Sequence, residues 1–556
     1  MKINILDFLK ERDRGYSEAF FQAVEYAKTI PAGVKKTLYF PKGIYDFYAD
    51  YSPVREVYVS NTCGPQHQEY KNKHIAILLE GAENITVDGN GSEFIMHGDI
   101  TTFAALNCHD IVFKNFVLDH ASPSVVDIVV EKAEDHTVEI SIPDCYIYEI
   151  SPDKKDLIWK GEASPVTGKP YWEGKNNLVY NQKYMAKTGR TWRGDTRKCE
   201  VFEDVETIEE IKKGLLRITL KEKVDTAIEG ICYQMRNIMR TTPGALIAES
   251  KNITMKNVRV KYFHGFGLVG QMSKNLFFRD CTFVPPYETG RTTAGFADYL
   301  HLSSIGGKVE VTGCRFENSH DDPINLHGTF LQVMEVLDKE NTEFLLRYMH
   351  HETGGFAQYY IGNTVEFSMQ DTLVTLKEDD GIAQRVVVAV ENNYKNDKRL
   401  IKIKLSAPLL LDQTNKSKIE GNNGLNYVVE NVTYTASLLV RDCVFEKIPT
   451  RGILVTTRKD VLIENNLFKN LDMAGISISC DGSNWYESGR TKNVIIRNNR
   501  FLELTTMAVF ICPTAEGLPG DRIHKRILVE NNEFHAAKEM KEPFVHGWGV
   551  EELIVR

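Results

Sequence analysis

The chain lacks the marks of several large protein classes. None of its 10 cysteines stands in a CxxC pair, which argues against a zinc ribbon or a dithiol redox motif. No stretch reaches the apolar length of a membrane span. The opening Met1-Lys2-Ile3-Asn4-Ile5-Leu6-Asp7 has neither the apolar core nor the small-residue cleavage site of an export leader. The expectation is therefore a cytoplasmic protein, or an extracytoplasmic one trimmed of its leader. A basic excess is missing too: a net charge of -9 argues against a nucleic-acid partner.

What the chain has is length and repetition. Its 42% hydrophobic and 26% charged residues are the composition of a globular protein. At 556 residues it is too long for one ordinary core unless the core grows by repeats. The segments Asn84-Ile85-Thr86-Val87, Asp110-Ile111-Val112-Phe113-Lys114-Asn115 and Asn252-Ile253-Thr254-Met255-Lys256-Asn257 echo one another. The pattern sharpens in Leu276 to Phe283 and Val309 to Phe316, then recurs in segments ending in Phe445, Phe468, Phe501 and Phe534. Cys281, Cys314 and Cys443 share one repeat position and suggest an interior packing column rather than chemistry. Three later repeats carry Asn465-Asn466, Asn498-Asn499 and Asn531-Asn532. A period of about 23 residues, or about 33 where a loop intervenes, with short alternating strands and asparagines at a turn, marks a right-handed parallel β-helix.

Ahead of the repeats, residues 15–48 read as a cap. Ser17 stands as a helix N-cap before the amphipathic run Phe20, Phe21, Val24 and Ala27, and the strands around Leu38-Tyr39-Phe40 and Ile44-Tyr45 flank a Pro41-Lys42-Gly43 turn. Two stretches break the repeat and read as short antiparallel strands, each taken as a small inserted β-barrel. The expected division is 1–121 for cap and first coils, 122–246 for one insert, 247–330 for further coils, 331–435 for the second insert and 436–556 for the last coils. Charged turns such as Glu378-Asp379-Asp380-Gly381 separate strands of the second insert, and Lys160 to Lys198 reads mainly as loop.

A second strand occupies each coil, and two of these carry acids. Aligning Leu300 of Ala297-Asp298-Tyr299-Leu300-His301-Leu302 on Ile324 of Asp321-Asp322-Pro323-Ile324-Asn325-Leu326 puts Asp298 on Asp322 and His301 on Asn325. Stacked coils lie about 4.8 Å apart, which would gather Asp298, Asp321 and Asp322. Period-two alternation sends Ile324 and Leu326 inward and turns His301, Ser303, Asn325 and His327 outward. The second insert leaves directly after His327-Gly328 and should wall that face. Acetal hydrolysis needs one carboxyl to protonate the leaving oxygen and another to activate water, and crowded carboxylates cannot all ionise. Isolated aspartates at turns more often cap backbone amides, but three stacked acids flanked by outward His and Asn read as a catalytic cluster.

Around that cluster, His301, His320 and His327 match no zinc spacing and are expected to hydrogen-bond sugar hydroxyls or the acids. Trp485 in Trp485-Tyr486-Glu487-Ser488-Gly489, following Asp481, offers a platform for a sugar ring, and Glu487 an acceptor. Arg451 shares the phase of Asp322 and is either a substrate ligand or an ion-pair partner of the acids.

The segments Ala297 to Leu302, Ser319-His320-Asp321-Asp322-Pro323-Ile324-Asn325-Leu326-His327-Gly328, Thr450-Arg451-Gly452-Ile453-Leu454-Val455-Thr456-Thr457-Arg458 and Trp485 to Gly489 resemble glycoside hydrolase family 110. Those enzymes are exo-acting α-1,3-galactosidases that remove terminal galactose from blood group B and linear α-Gal structures. The resemblance runs nearly the whole chain. It implies a β-helix with two barrel-like inserts and hydrolysis with inversion, without metal or other cofactor. Its acidic trio falls on Asp298, Asp321 and Asp322, with Asp321 implied as general acid and Asp298 and Asp322 as holders of the water. The expected partner is a galactose-terminated oligosaccharide or glycoconjugate, with a homodimer left open. Two rival readings are a polygalacturonase-like β-helix hydrolase, which should carry a basic open groove, and a non-catalytic sugar-binding β-helix of the tailspike kind.

Overall fold

A computed structural model describes residues 1–556 other than 12, 13, 63, 66, 379, 380, 518, 520, 521 and 538–541. The Asp379-Asp380 part of the charged turn expected there lies outside the described residues. The chain is a right-handed parallel β-helix capped by one helix, Ser17–Lys28. That helix buries Phe20, Ala23 and Val24 against the end of the coils. Ser17 is its first residue and not its cap: Tyr16 holds the cap position, and the Ser17 hydroxyl is bonded instead to Ser52, at 2.7 Å. No helix among the described residues is long and apolar enough to cross a membrane.

The repeat positions stack as columns. Phe283, Phe316, Phe445, Phe468, Phe501 and Phe534 form a ladder with successive ring centroids 5.0, 5.1, 4.8, 4.7 and 5.3 Å apart. Offset stacking of this kind adds to the burial of each ring. Cys281, Cys314 and Cys443 are buried in one column, as their shared repeat position implies. The column continues as asparagines: Cys443 N–H donates to Asn466 Oδ1 at 2.9 Å, Asn466 Nδ2 to Asn499 Oδ1 at 2.9 Å, and Asn499 Nδ2 to Asn532 Oδ1 at 3.0 Å. The residue before each, Asn465, Asn498 or Asn531, takes a left-handed φ of 59°, 54° or 54°, a conformation asparagine tolerates and β-branched residues do not.

One parallel sheet of 19 strands lines the structural side of the coils. The other carries the site, in strands Leu268–Gln271, Leu300–Ser303, Ile324–Val336, Arg451–Val455 and Ala474–Asp481. Its register pairs Leu300 with Ile324, His301 with Asn325 and Ser303 with His327, as the aligned segments require. Ile324 in turn pairs with Ile453, which places Arg451 in phase with Asp322.

The inserts differ from each other. The second is a closed six-stranded antiparallel barrel built from Ile324–Val336, Glu343–Tyr348, Leu400–Leu405, Gln384–Asn392, Thr364–Met369 and Tyr427–Asn431. Buried Arg458 pins it to the coils, with ion pairs of 2.5 Å to both Glu366 and Glu430. The first is an open seven-stranded antiparallel sheet, bounded by Val205–Lys212 and Arg190–Trp192, with no pairing between those edges among the described residues. A three-stranded sheet accompanies it and adds Trp159 to the same core, so coverage rather than closure buries the interior. The Lys160 to Lys198 stretch, read from sequence as loop, contributes the strands Glu173–Lys175, Tyr180–Met185 and Arg190–Trp192. Its polar side chains Asn181 and Gln182 are buried against neighbouring chain, which hides the usual alternation.

Candidate active site

Asp298, Asp321 and Asp322 converge on one cavity of about 380 Å³, at the low end of small-ligand sites. Backbone contacts set their positions. Asp322 and Pro323 carbonyls accept from Tyr299 and Leu300 at 3.2 and 3.0 Å, and Asp321 N–H donates to the Ala297 carbonyl at 3.2 Å. On the preceding coil, Gly267 sits at φ +78°, where a Cβ would lie 1.9 Å from the Asp298 carbonyl oxygen. Only glycine allows that approach.

Each acid has different company. Asp322 is held by Arg451, whose Nε and backbone N–H donate to Oδ1 at 3.0 and 3.2 Å and whose Nη2 donates to Oδ2 at 2.6 Å. Arg451 is thus an ion-pair partner of Asp322, and it also lines the cavity. Asp321 has Arg193 and Arg240 each at 3.5 Å from Oδ2. Burial pushes its carboxyl up, but Arg193, Arg240, Arg451 and Arg236 outweigh burial and hold it below the usual range. Asp298 has no cation in contact among the described residues. Its Oδ2 lies 2.9 Å from His301 Nδ1, and burial, then Asp321 and Asp322, drive its carboxyl well above the usual range. Burial holds His301 neutral, with help from His327 and Arg240.

His301, Asn325, Arg451, Asp481, Trp485 and Glu487 all line the cavity as expected. Asn325 Nδ2 donates to Glu487 Oε1 at 3.1 Å, while Asn325 Oδ1 is buried without a partner. Both oxygens of Asp481 accept backbone N–H groups, from Ser483, Asn484 and Trp485, so this acid shapes the loop. Trp485 is 45% exposed, with one face stacked on His350 at 4.6 Å.

His320 and His327, expected as sugar contacts, do not line the cavity. His320 precedes the strand, where alternation no longer applies, and it is buried against the first insert with Nδ1 accepting from Arg236 Nε at 3.2 Å. His327 does point out of the coil, but its strand runs on into the barrel, Gly328 pairs with Ser488, and the ring is covered.

Asn61 and Arg240, which line the cavity, and Glu352 and His350, which stand behind it, escaped the sequence reading. Arg240 follows the last strand of the first insert; its guanidinium lies 4.4 Å from the Phe266 ring and 3.7 Å from Glu352. Glu352 and His350 come from a loop of the second insert, and Asn61 from the cap region accepts from Thr353 Oγ1 at 2.9 Å. Neither insert repeats, so no spacing signal marks these residues. Among the described residues, donors grouped closely enough for a metal are His350, His351 and Glu352, within 4.8 Å of one another. Arg240 faces that carboxylate and Trp485 covers His350, an arrangement suited to ion pairing and stacking.

Comparison with known proteins agrees with this architecture. The family model described as "Right handed beta helix region" matches residues 426–540. Across 92% of this chain, proteins named "Alpha-1,3-galactosidase A" from Peterkaempfera griseoplana and Streptomyces avermitilis are each 38% identical, over 70% and 80% of their own lengths. A protein of the same name from Bacteroides thetaiotaomicron is 32% identical over 90% of this chain and 82% of its own. At that identity and coverage, with the β-helix beneath it, this chain belongs to the α-1,3-galactosidase family.

Proposed function

We propose that this protein is an exo-acting glycosidase that hydrolyses terminal, non-reducing α-1,3-linked galactose, of blood group B-type or linear α-Gal glycans, with inversion at the anomeric carbon. The observation that carries the reading is the meeting of three aspartates, each with different neighbours, in one small cavity. An endo-acting enzyme needs a groove open at both ends; here Asn61, Arg240 after the first insert and the Trp485 loop line a small cavity, with His350 of the second insert stacked behind Trp485, which suits a chain end. Trp485 offers an apolar face to the sugar's C–H side, and Asn325 Oδ1 and Glu487 offer acceptors to its hydroxyls.

Two assignments of the acids follow. The family resemblance makes Asp321 the acid, protonating the leaving oxygen while Asp298 and Asp322 hold the water that attacks C1. The sugar-free electrostatics favour the exchange: burial, then Asp321 and Asp322, raise the Asp298 carboxyl, while the arginines around Asp321 outweigh its burial and lower it. α-Galactosyl fluoride distinguishes them, because fluoride leaves without protonation. Whichever of Asp298→Asn and Asp321→Asn keeps activity on the fluoride, while losing it on a disaccharide, has lost the acid. NMR of the first anomer released tests the stereochemistry: β-galactose supports inversion, and α-galactose sinks it.

A further inference from the structure

Three hydrogen bonds behind Asp298 impose a proton count. Asp298 Oδ2 lies 2.9 Å from His301 Nδ1, His301 Nε2 lies 3.2 Å from His327 Nε2, and His327 Nδ1 lies 2.7 Å from the Gly328 carbonyl oxygen. A carbonyl only accepts, so His327 Nδ1 bears a proton. The contact between ring nitrogens needs one proton, and so does the contact with Asp298. Three links need three protons, and two neutral imidazoles supply two. The third belongs to the set as a whole, which is neutral wherever it sits.

We propose that Asp298, His301 and His327 form a buried proton relay that lets Asp298 pass between acid and carboxylate without exchanging a proton with solvent. In one arrangement Asp298 Oδ2–H donates to His301 Nδ1, and His301 Nε2–H donates to His327 Nε2. When the Oδ2–H bond breaks and His301 gains an Nδ1–H, the His301 Nε2–H bond breaks and His327 gains an Nε2–H. Asp298 is then a carboxylate and His327 an imidazolium. All three hydrogen bonds survive, and no proton has entered or left.

The surroundings suit the shift. Glu487 Oε1 lies 3.5 Å from His327 Nε2, facing the positive charge that arrives. Around Asp298, burial, then Asp321 and Asp322, favour the acid and Arg240 favours the carboxylate, so the carboxylate form needs a proton acceptor such as the one His301 offers at 2.9 Å. Burial, then His327, Arg240 and His350, oppose a charge lodged on His301 itself, and Glu487 stands beside His327, not His301. The Phe266 ring, 4.6 Å from the His301 ring, and the complete burial of His301 keep water from short-circuiting the relay. In the assignment that makes Asp298 a holder of the attacking water, the relay gives it the carboxylate form in a place where burial opposes that form. His301 and His327 are positioning residues, acting on the chemistry through Asp298.

The inference rests on the glycosidase reading for its purpose but not for its proton count, and the tests separate the two. In protein labelled with 15N-histidine, His301 and His327 should show exchange-protected ring N–H groups and no independent titration between about pH 5 and 8. Either ring titrating as a free imidazole near pH 6.5 overturns the relay. Where the α-galactosyl fluoride test makes Asp298 a holder of the water, His327→Gln should replace a kcat/KM profile flat across neutral pH with one that climbs about tenfold per pH unit, because Asp298 must now lose its proton to solvent. His301→Asn should behave alike. A variant profile of unchanged shape, merely scaled down, overturns the relay. Absence of galactose release by the wild-type protein would overturn the glycosidase reading, while the histidine titrations would still decide the relay.

Discussion

The Asp322–Arg451 pair offers the sharpest test of how the site holds its charges. Asp322 is 2% exposed and Arg451 33%, and three donor contacts of 2.6–3.2 Å join them. At about 3 Å and an effective dielectric of 20, their attraction is about 5 kcal/mol, set against a desolvation cost of similar size that falls mainly on the aspartate. Arg451→Met removes the attraction and leaves the cost. Breaking a buried pair this way costs about 3–5 kcal/mol, and the partial exposure of the arginine puts this case near about 3 kcal/mol. Asp322→Asn in the same background removes the stranded charge as well, so the double variant should regain about 2 kcal/mol of that loss. Urea unfolding of the four proteins, followed by a probe in the coils, measures the cycle. If Arg451→Met and the double variant are equally destabilised, Asp322 carries no buried charge that needs a partner, and the ion pair does not hold the site's charges as described.

Further outcomes follow from other contacts. Gly267→Ala puts a Cβ into the Asp298 carbonyl at a φ that already costs an L-residue about 1–2 kcal/mol, so kcat should fall with little change in far-UV circular dichroism; wild-type kcat would show that Asp298 is not positioned from the coil before it. Trp485→Ala removes the platform stacked on His350 and should raise KM about tenfold with kcat within about threefold, whereas an unchanged KM would remove Trp485 from the sugar site. Burial holds His350 and His524 down at about 3, against about 6.5 unfolded. Below pH 6.5 the unfolded chain binds protons that the folded chain refuses, so stability falls with pH by about 1 kcal/mol per unit at each such site. His120, His301 and His320 act in the same direction, while Asp127 and Asp298, raised by burial, oppose them. The unfolding midpoint should therefore drop between pH 7.5 and about pH 5; a rise would mean that the buried acids outweigh the buried histidines.

The coils and the acids were legible in the sequence because both obey the repeat. Leu300 and Ile324 pair as aligned, Arg451 falls two residues before Ile453 as Asp322 does before Ile324, and the cysteine, asparagine and phenylalanine columns each keep one position. Parity also placed His301 and Asn325 on the outer face, where they meet the cavity. It did not reach His320, which precedes the strand, and it said nothing of what would later cover His327. The arginines were invisible for a related reason. Arg240 reaches Asp321 across 81 residues and Arg193 comes from a strand edge of the first insert, so neither shares the period that betrayed the acids. Repetition reports the scaffold and whatever it carries in phase; residues delivered by an insertion follow the insertion's own fold.

That division of labour has an electrostatic consequence. The coils supply Asp298, Asp321, Asp322 and Glu487 to the cavity, with Arg451 as their own cation. Arg240 reaches the cavity from the segment after the first insert, Arg193 and Arg236 of that insert stand behind Asp321, and the second insert places Glu352 beside Arg240 and His350 beneath Trp485. On an open β-helix face the acids would be hydrated, and water would screen one from another. Docking the inserts removes that water, which raises the cost of every unpaired charge and delivers arginines to Asp321 in the same step. Asp298 is the acid left without a cation in contact, and it is also the one tied to two buried histidines. The surroundings that close the cavity thus also drive Asp298 and Asp321, chemically identical side chains, in opposite directions, as general acid–base catalysis requires.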